Sequence, residues 1–205
     1  MQSKTIQERL QTCGEIPSEI LYPPPPLRNY RTEAYESYVF AVSRLHPLKR
    51  LDLLVRAMKQ VKTQEFRAVI AGTGEEQESL QRLAATLGVG ERVDFIGRID
   101  EETLLQHYAR CRAVFFAPFM EDYGLVTIEA FRSRKAVITC IDSGGPAELV
   151  VDNCSGFVTL PDPTFIAERL DRLAESKELA AFMGARAEQE TRGITWESAL
   201  GRLML

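Results

Sequence analysis

The sequence predicts an α/β fold in which helices cover both faces of a parallel sheet. From Tyr38 onward, short apolar runs alternate with segments whose apolar residues recur at helical spacing. The helical segments between the runs are long enough to serve as the crossover connections that parallel strands require. Ligands bind beyond the carboxyl ends of the strands in such sheets, so functional residues are expected in the loops that follow the strands.

The individual elements of this Rossmann-like domain follow from the same patterns. The predicted strands lie at residues 38–42, 66–71, 92–97, 113–118, 135–140 and 156–160. The predicted helices lie near residues 51–61, 80–87, 101–110, 124–132, 147–150 and 164–191, with a last helix from about residue 196. Strands and helices that alternate in this way indicate one sheet with helices on both sides.

The first 36 residues differ from the rest of the chain. A helix is expected at Ser3–Gln11 and a short strand at Glu19–Tyr22, before four consecutive prolines, Pro23 to Pro26, which form a stiff extended segment. We therefore divide the chain into three parts. Residues 1–36 resemble the tail of a preceding domain with a Pro-rich linker, residues 37–192 form the Rossmann-like domain, and residues 193–205 form a final helix that looks clipped.

Composition excludes several classes of protein. The 205 residues carry 25 Lys and Arg against 29 Asp and Glu, and this balance argues against nucleic-acid binding. No apolar run approaches the length of a transmembrane segment, and the polar amino terminus does not resemble a signal peptide. The four cysteines, of which we expect Cys140 in a strand and the others near surfaces, form no CxxC pair, so no zinc site is predicted. We expect reduced thiols and a cytoplasmic location.

The loop after the first strand of the main domain carries two cations. Arg44 and Lys49 flank a turn containing Pro47, immediately before a predicted helix. A helix amino terminus and a guanidinium group both favour anions, so this loop suits a diphosphate. The alternative interpretation is a solvated basic loop without a ligand.

A second loop combines two glutamates with a helix start. Glu121 and Glu129 are eight positions apart, and the free amides at Gly124, Leu125 and Val126 can cradle a phosphate. Glu129 lies within an apolar segment, where a carboxylate requires hydrogen-bond partners. Two ribose hydroxyls would serve as partners. The alternative is a structural glutamate that is hydrogen-bonded to a neighbouring loop.

A third loop, DSGGPAELV, has Gly144 and Gly145, where the backbone can approach a ligand closely, and Glu148 on a short helix. The three loops in this order resemble the C-terminal domain of family-4 retaining glycosyltransferases, which have the GT-B fold of two facing Rossmann-like domains. The most specific features of the resemblance are the spacing of the two glutamates and of the two cations. The stretches AGTGEE and RVDFIGRID match as well.

The resemblance implies a role for each residue of the motifs. Arg44 and Lys49 would neutralise the donor diphosphate and stabilise the leaving nucleotide, and Glu121 would contact hydroxyls of the donor sugar. These three are the expected catalytic residues. Glu129 would hold the ribose. The residues expected along phosphate and sugar through backbone amides are Tyr123, Gly124, Leu125 and Val126, and those expected to border the base are Arg98 and Ile99.

The implied substrate is a UDP-, GDP- or ADP-linked sugar, and the acceptor is not defined by the sequence. No cofactor is expected, and the absence of a DxD-type pair predicts transfer without a metal. The resemblance also implies a membrane inner face as one site of action of the full-length enzyme. Two features depart from the family pattern. Ser43 stands where many members have Gly, and the acceptor-binding N-terminal domain is almost wholly absent.

Three other enzyme classes fit less well. A dinucleotide-binding oxidoreductase requires GxGxxG, but Gly72 and Gly74 are followed by Glu75, Glu76 and Gln77. Sugar-nucleotide epimerases with the GT-B fold offer no better motif match, and glycoside hydrolases, which also use two carboxylates, have no need of the two cations. The alternative that stays open is a catalytically silent nucleotide-sugar-binding module, or a split subunit that needs a partner chain.

Overall fold

The computed structural model describes residues 1–14 and 17–204, and it contains one parallel sheet of six strands in the order β3-β2-β1-β4-β5-β6. The strands are β1 Tyr38–Val42, β2 Arg67–Ala71, β3 Val93–Gly97, β4 Ala113–Phe115, β5 Ala136–Cys140 and β6 Gly156–Thr159. This strand order is that of a Rossmann fold, and the predicted fold class is confirmed. The order reverses between β1 and β4, so the loops after these two strands diverge and open a crevice.

Helices connect the strands. They are α1 Lys4–Gln11, α2 Leu51–Met58, α3 Gln77–Leu87, α4 Glu101–Arg110, α5 Leu125–Arg132, α6 Gly145–Leu149, α7 Pro163–Glu175, α8 Lys177–Glu190 and α9 Trp196–Leu203. Side-chain caps fix several starts, because they satisfy amides that lack an intrahelical partner. Asp100 accepts a hydrogen bond from Thr103 N, and Ser176, where the predicted 164–191 segment divides into two helices, accepts one from Leu179 N.

Two apolar layers lie on opposite faces of the sheet because successive side chains of a strand point to opposite sides. Val39 and Ala41 of β1 pack in one layer, and Phe40 packs in the other. The first layer receives residues of α2, α3 and α7, and the second receives residues of α4 and α5. The sheet is therefore covered on both faces, as the continuous apolar runs of its strands predict.

Two sequence-based expectations are wrong. The segment Glu19–Tyr22 is not a strand. It has no neighbouring strand to pair with in the described part of the chain, and Leu21 N donates a single hydrogen bond to Met1 O. Cys111 is fully buried rather than near the surface, because it follows α4 directly and packs in the second apolar layer.

The amino-terminal helix α1 rests on α6 through one carboxylate. Glu148 accepts hydrogen bonds from the backbone N–H groups of Lys4 and Thr5, from the Thr5 hydroxyl and from the Tyr22 hydroxyl. A carboxylate at a helix amino terminus accepts hydrogen bonds from the free amides and interacts favourably with the positive end of the helix dipole. Glu148, which the sequence placed on a short helix without a specific role, thus attaches the first segment of the chain to the sheet domain.

Within residues 1–14 and 17–204, no helix is both long and apolar enough to cross a bilayer.

Candidate functional site

A cleft of about 540 Å³ opens at the point where the strand order reverses. One wall comes from the end of β1 and the loop that follows it, and the other comes from the loop after β4 and the start of α5. Residues of the amino-terminal segment close one side. The cleft is lined by Gln2, Pro23, Val42, Ser43, Arg44, Lys49, Phe116, Glu121, Asp122, Tyr123, Gly124, Leu125, Val126 and Glu129.

The loop after β1 presents the two predicted cations to this cleft. A short 3-10 turn, Pro47–Lys49, follows His46, whose Nδ1 accepts a hydrogen bond from Leu48 N. Among the described residues, no carboxylate lies within ion-pair distance of the exposed Arg44 side chain. Lys49 Nζ lies 2.5 Å from Glu121 Oε2. Arg44 is therefore the cation of this pair that can meet an anion without giving up a protein partner.

The glycine-rich loop after β2 supports the loop that carries Arg44. An added Cβ at Gly74 would lie 2.2 Å from Leu45 O, so only glycine permits this approach of the two loops. Leu45 N also donates a hydrogen bond to Thr73 O at 3.0 Å. The AGTG stretch thus carries the Arg44 loop and contributes no residue to the lining of the cleft.

Glu121 is held by its backbone against the loop after β5. Glu121 N donates to Ser143 O at 3.0 Å, and Gly145 N donates to Glu121 O at 2.8 Å. Gly144 lies between these bonds with φ 70°, and an added Cβ there would be 2.4 Å from Glu121 O. The Gly-Gly sequence is therefore needed at this position because it permits the two loops to pair.

Arg50, which was not predicted as a site residue, connects three loops. Its Nη1 and Nη2 each lie 2.7 Å from a carboxylate oxygen of Asp142, after β5. Its Nε and Nη2 donate to the carbonyls of Ala117 and Pro118, after β4. A bidentate Arg–carboxylate pair is geometrically specific, so it fixes the loop that carries Lys49 relative to the loop that carries Glu121.

Glu129 is buried on α5, and three protein groups hydrogen-bond to its carboxylate. Arg28 Nη1 lies 2.6 Å from Oε1, Tyr30 OH lies 3.4 Å from Oε1, and Tyr108 OH lies 3.0 Å from Oε2. Burial raises the pKa of Glu129, while the hydrogen bond from Tyr108 and the charge of Arg28 lower it. The partners that a buried carboxylate requires are therefore present within the protein, and Glu129 still lines the cleft.

The amino terminus of α5 faces the cleft through its backbone. Gly124 adopts φ 77° and caps the helix without a side chain, so the amides of Leu125 and Val126, in the first helical turn, have no intrahelical acceptor. The Tyr123 hydroxyl donates to Pro23 O at 2.7 Å, and its ring stacks on that of Tyr22. The predicted helix start at Gly124 is confirmed, and it places free N–H groups beside the cations.

Eight of the ten predicted site residues line the cleft, and two do not. Arg98 and Ile99 follow β3 outside the lining; Arg98 is exposed and Ile99 packs against the second apolar layer. Their role at a base stays a prediction. Among the residues that the sequence did not single out, Phe116 and Pro23 line the cleft, and Arg28 reaches Glu129.

In the part of the chain that the structure describes, no three His, Cys, Asp or Glu side chains cluster in an arrangement that could hold a metal ion.

Comparison with known proteins identifies the class. A sequence model of the family described as Glycosyl transferases group 1 matches residues 29–190, which is most of the chain. The chain therefore belongs to this family, and its fold is that of the C-terminal Rossmann-like domain of GT-B glycosyltransferases.

Among curated relatives, a D-inositol 3-phosphate glycosyltransferase of Nocardia farcinica is 34% identical over 172 residues, which are 78% of this chain and 38% of that protein. Human alpha-1,3/1,6-mannosyltransferase ALG2 is 23% identical over 87% of this chain and 49% of its own length. The chain thus spans less than half the length of these relatives.

Among solved structures, Anabaena HepE in complex with UDP and glucose superposes with a TM-score of 0.87. It is 22% identical, and the match covers 99% of this chain and 60% of that chain. The C-terminal domain of a glycosyl transferase group 1 family protein from Francisella tularensis gives a TM-score of 0.69 at 20% identity, covering 94% and 91% of the two chains. At these identities the structures establish the fold.

Proposed function

We propose that the cleft binds the nucleotide diphosphate sugar donor of a glycosyltransferase. The observation that carries this proposal is the meeting of Arg44, Lys49 and the free amides of Leu125 and Val126 at the reversal point of the sheet. Cations and helix amino-terminal amides are the groups that bind phosphate. The family membership and the UDP in the HepE structure support a nucleoside diphosphate as the ligand.

In this proposal the chain stabilises the leaving group. Departure of the nucleoside diphosphate leaves negative charge on its phosphate oxygens. Arg44 and Lys49 meet that charge with fixed positive groups, which lowers the barrier without reorganisation of water. Glu121 contacts hydroxyls of the donor sugar, and Glu129 contacts the ribose. We propose that transfer proceeds without a metal and with retention of the anomeric configuration, in line with the family resemblance of these motifs.

The acceptor side of the reaction requires further residues. We propose that a second domain, in the same polypeptide or in a partner chain, faces the cleft and holds the acceptor, and that residues 1–36 form the connection to it. The observation that favours this arrangement is exposed apolar surface at and beside the cleft. Leu125 of the cleft lining is 42% exposed, and Leu48 and Phe119, which line an adjacent depression with Arg44 and Lys49, are 53% and 48% exposed. Without that domain, the chain is a donor-binding module that is silent in transfer.

We place this activity at the cytoplasmic side of a membrane or in the cytoplasm. The four cysteines are free thiols, as is usual in a reducing compartment.

Calorimetric titration tests the donor proposal. The chain would be titrated in EDTA with UDP, GDP, ADP and inorganic pyrophosphate, and then with the corresponding sugar nucleotides. We expect one nucleoside diphosphate to bind more tightly than the other two and than pyrophosphate, because ribose and base contacts add to the phosphate contacts. Equal, weak binding of all four ligands would show a basic loop without a nucleotide site, and binding that appears only when Mg²⁺ replaces EDTA would contradict transfer without a metal.

A further inference from the structure

A residue of the proline-rich segment, here residues 23–31, contacts a residue in the wall of the candidate donor site. Arg28 lies just after Pro23–Pro26, and its Nη1 is 2.6 Å from Oε1 of Glu129, 101 positions away in the chain. The Arg28 side chain is 22% exposed and that of Glu129 is 9% exposed, so the pair lies at the inner edge of the cleft rather than on the surface. Ion pairs with this degree of burial are screened less than exposed pairs.

The guanidinium of Arg28 has a second anchor that fixes its orientation. Its Nε donates to Oε2 of Glu101 at 2.9 Å, in the first turn of α4. Tyr108 from α4 and Tyr30 from the same proline-rich segment complete the shell around Glu129. Three elements of the chain therefore converge on one carboxylate.

The carboxylate still has acceptor capacity for a ligand. Two carboxylate oxygens offer about four lone-pair positions, of which Arg28, Tyr30 and Tyr108 use three. The contact from Tyr30 is the longest, at 3.4 Å, and is the easiest of the three to exchange. Glu129 can therefore accept a hydroxyl from the cleft while Arg28 keeps it in place.

We infer that Arg28 is a positioning residue of the donor site, which holds Glu129 oriented and ionised for the ribose and so couples the proline-rich segment to nucleotide affinity. This inference rests on the proposed function, because it assumes that Glu129 meets the ribose. The charged and titratable groups that face Glu129 are Arg28, Tyr30 and Tyr108, and Glu101 reaches it through Arg28. Of these, Arg28 is the group that supplies positive charge.

Removal of Arg28 should change the pH dependence of nucleotide binding, which removal of a residue that only packs would not do. Burial already raises the pKa of Glu129, and the charge of Arg28 opposes this rise. Without Arg28 the pKa rises further, so Glu129 becomes protonated at a higher pH and loses its ability to accept two hydroxyls. The affinity of the variant for nucleotide must then fall earlier than that of the wild type as the pH is lowered.

The experiment is a calorimetric titration of UDP and of inorganic pyrophosphate between pH 5.5 and 8. The proteins are the wild-type chain, Arg28→Ala, Arg28→Lys and Glu129→Gln, with Arg31→Ala as the matched control, because Arg31 is an arginine of the same segment that pairs with Glu33 instead of Glu129. Comparison of each variant with the wild type at the same pH cancels the titration of the ligand itself.

We expect Arg28→Ala to weaken UDP binding about tenfold at pH 7, the scale of a charge-assisted hydrogen bond, and by a larger factor at pH 5.5. Pyrophosphate binding should stay within about twofold of the wild type. Arg28→Lys should recover much of the affinity and the wild-type pH profile because it keeps the charge. Arg31→Ala should match the wild type.

The inference is overturned if Arg28→Ala binds UDP with the affinity and pH profile of the wild type while Glu129→Gln is weakened; the donor site itself then stands. Equal losses of UDP and pyrophosphate in Arg28→Ala would also overturn it, because they would indicate general damage to the cleft. If the wild-type chain binds no UDP and no other nucleoside diphosphate, the proposed function fails, and the inference fails with it.

Discussion

Lys49 and Glu121 form an ion pair across the candidate site, with Nζ 2.5 Å from Oε2. The sequence assigned one of these residues to the phosphates of a donor and the other to its sugar. In the structure each is the other's partner, and their side chains are only 20% and 27% exposed. Binding of a diphosphate must therefore compete with Glu121 for Lys49.

This competition gives the first prediction. Glu121→Gln removes the negative charge that holds Lys49, so the affinity for UDP should rise several-fold, while the extra affinity that a sugar nucleotide has over UDP should be lost. Calorimetry with UDP and UDP-glucose measures both effects. Asp122→Asn is the control for a general change in charge, because Asp122 pairs with Arg9 instead. The same increase in both variants would contradict a specific competition at Lys49.

The cations themselves supply the second prediction. Arg44→Ala and Lys49→Ala should each weaken binding of the nucleoside diphosphate by about 1.5–3 kcal/mol, the scale of a hydrogen bond to a charged group. The control is Arg82→Ala, which removes an exposed arginine of α3 that pairs only with Glu78 among the described residues. If both variants keep the wild-type affinity, the assignment of this loop to phosphate is wrong.

The pairing of the two loops can be tested at Gly144. Alanine there would have its Cβ 2.4 Å from Glu121 O, at a φ of 70° that alanine avoids. We expect Gly144→Ala to lower the free energy of unfolding by about 3 kcal/mol and to displace Glu121. Chemical denaturation measures the loss. Gly193→Ala is the matched control, since an added Cβ there meets no atom within 4 Å, and equal stability of the two variants would refute the close approach.

Lys135 gives a prediction for the pH dependence of stability. Lys135 is fully buried immediately before β5. Its Nζ donates to Ala34 O and lies 3.7 Å from the Tyr35 ring centroid, and burial lowers its pKa from 10.5 to about 8. Between these two values the unfolded chain binds more protons than the folded chain. The free energy of unfolding therefore gains a contribution that rises with pH from about 8 to 10.5.

Lys135→Met should remove this contribution, so the difference in stability between wild type and variant should change in favour of the wild type as the pH rises from 7.5 to 9. Cys111, whose thiol has its pKa raised to about 12 by burial, stays protonated in both folded proteins over this range. Denaturation at a series of pH values checks the trend. Lys59→Met removes an exposed lysine as a control, and parallel curves for all three proteins would contradict a buried, titrating Lys135.

The parts of the fold that were predicted are those that follow from local patterns. The six strands of the sheet and the helix start at Gly124 come from apolar periodicity and from glycine, which act within a few residues of the chain. The location of the cleft also followed, because carboxyl ends of parallel strands share one edge of the sheet. The strand expected at Glu19–Tyr22 is absent. A strand requires a neighbouring strand to pair with, and local propensity does not show whether one is present.

The parts that were missed depend on contacts between distant positions. Arg28 and Glu129 are 101 positions apart, and Arg50 and Asp142 are 92 apart. Neither Arg28 nor Arg50 belongs to a periodic pattern. A single sequence does not show which carboxylate each arginine will contact. The sequence therefore identified residues that line the cleft but not the residues that hold them.

The carboxylate of Glu148, which holds α1 and Tyr22, has a consequence for where this chain can be joined to another protein. Glu148, Tyr123 and Glu129 each take a partner from the first 36 residues, through Thr5, Pro23 and Arg28. A chimaera that joined residues 37–204 to a segment of another protein would remove Thr5, Pro23 and Arg28 as partners of these three side chains, and Glu129 would keep only Tyr108 among the three groups that hydrogen-bond to it. Transfer of the sheet domain to another protein in the laboratory is therefore least disruptive when the junction precedes α1.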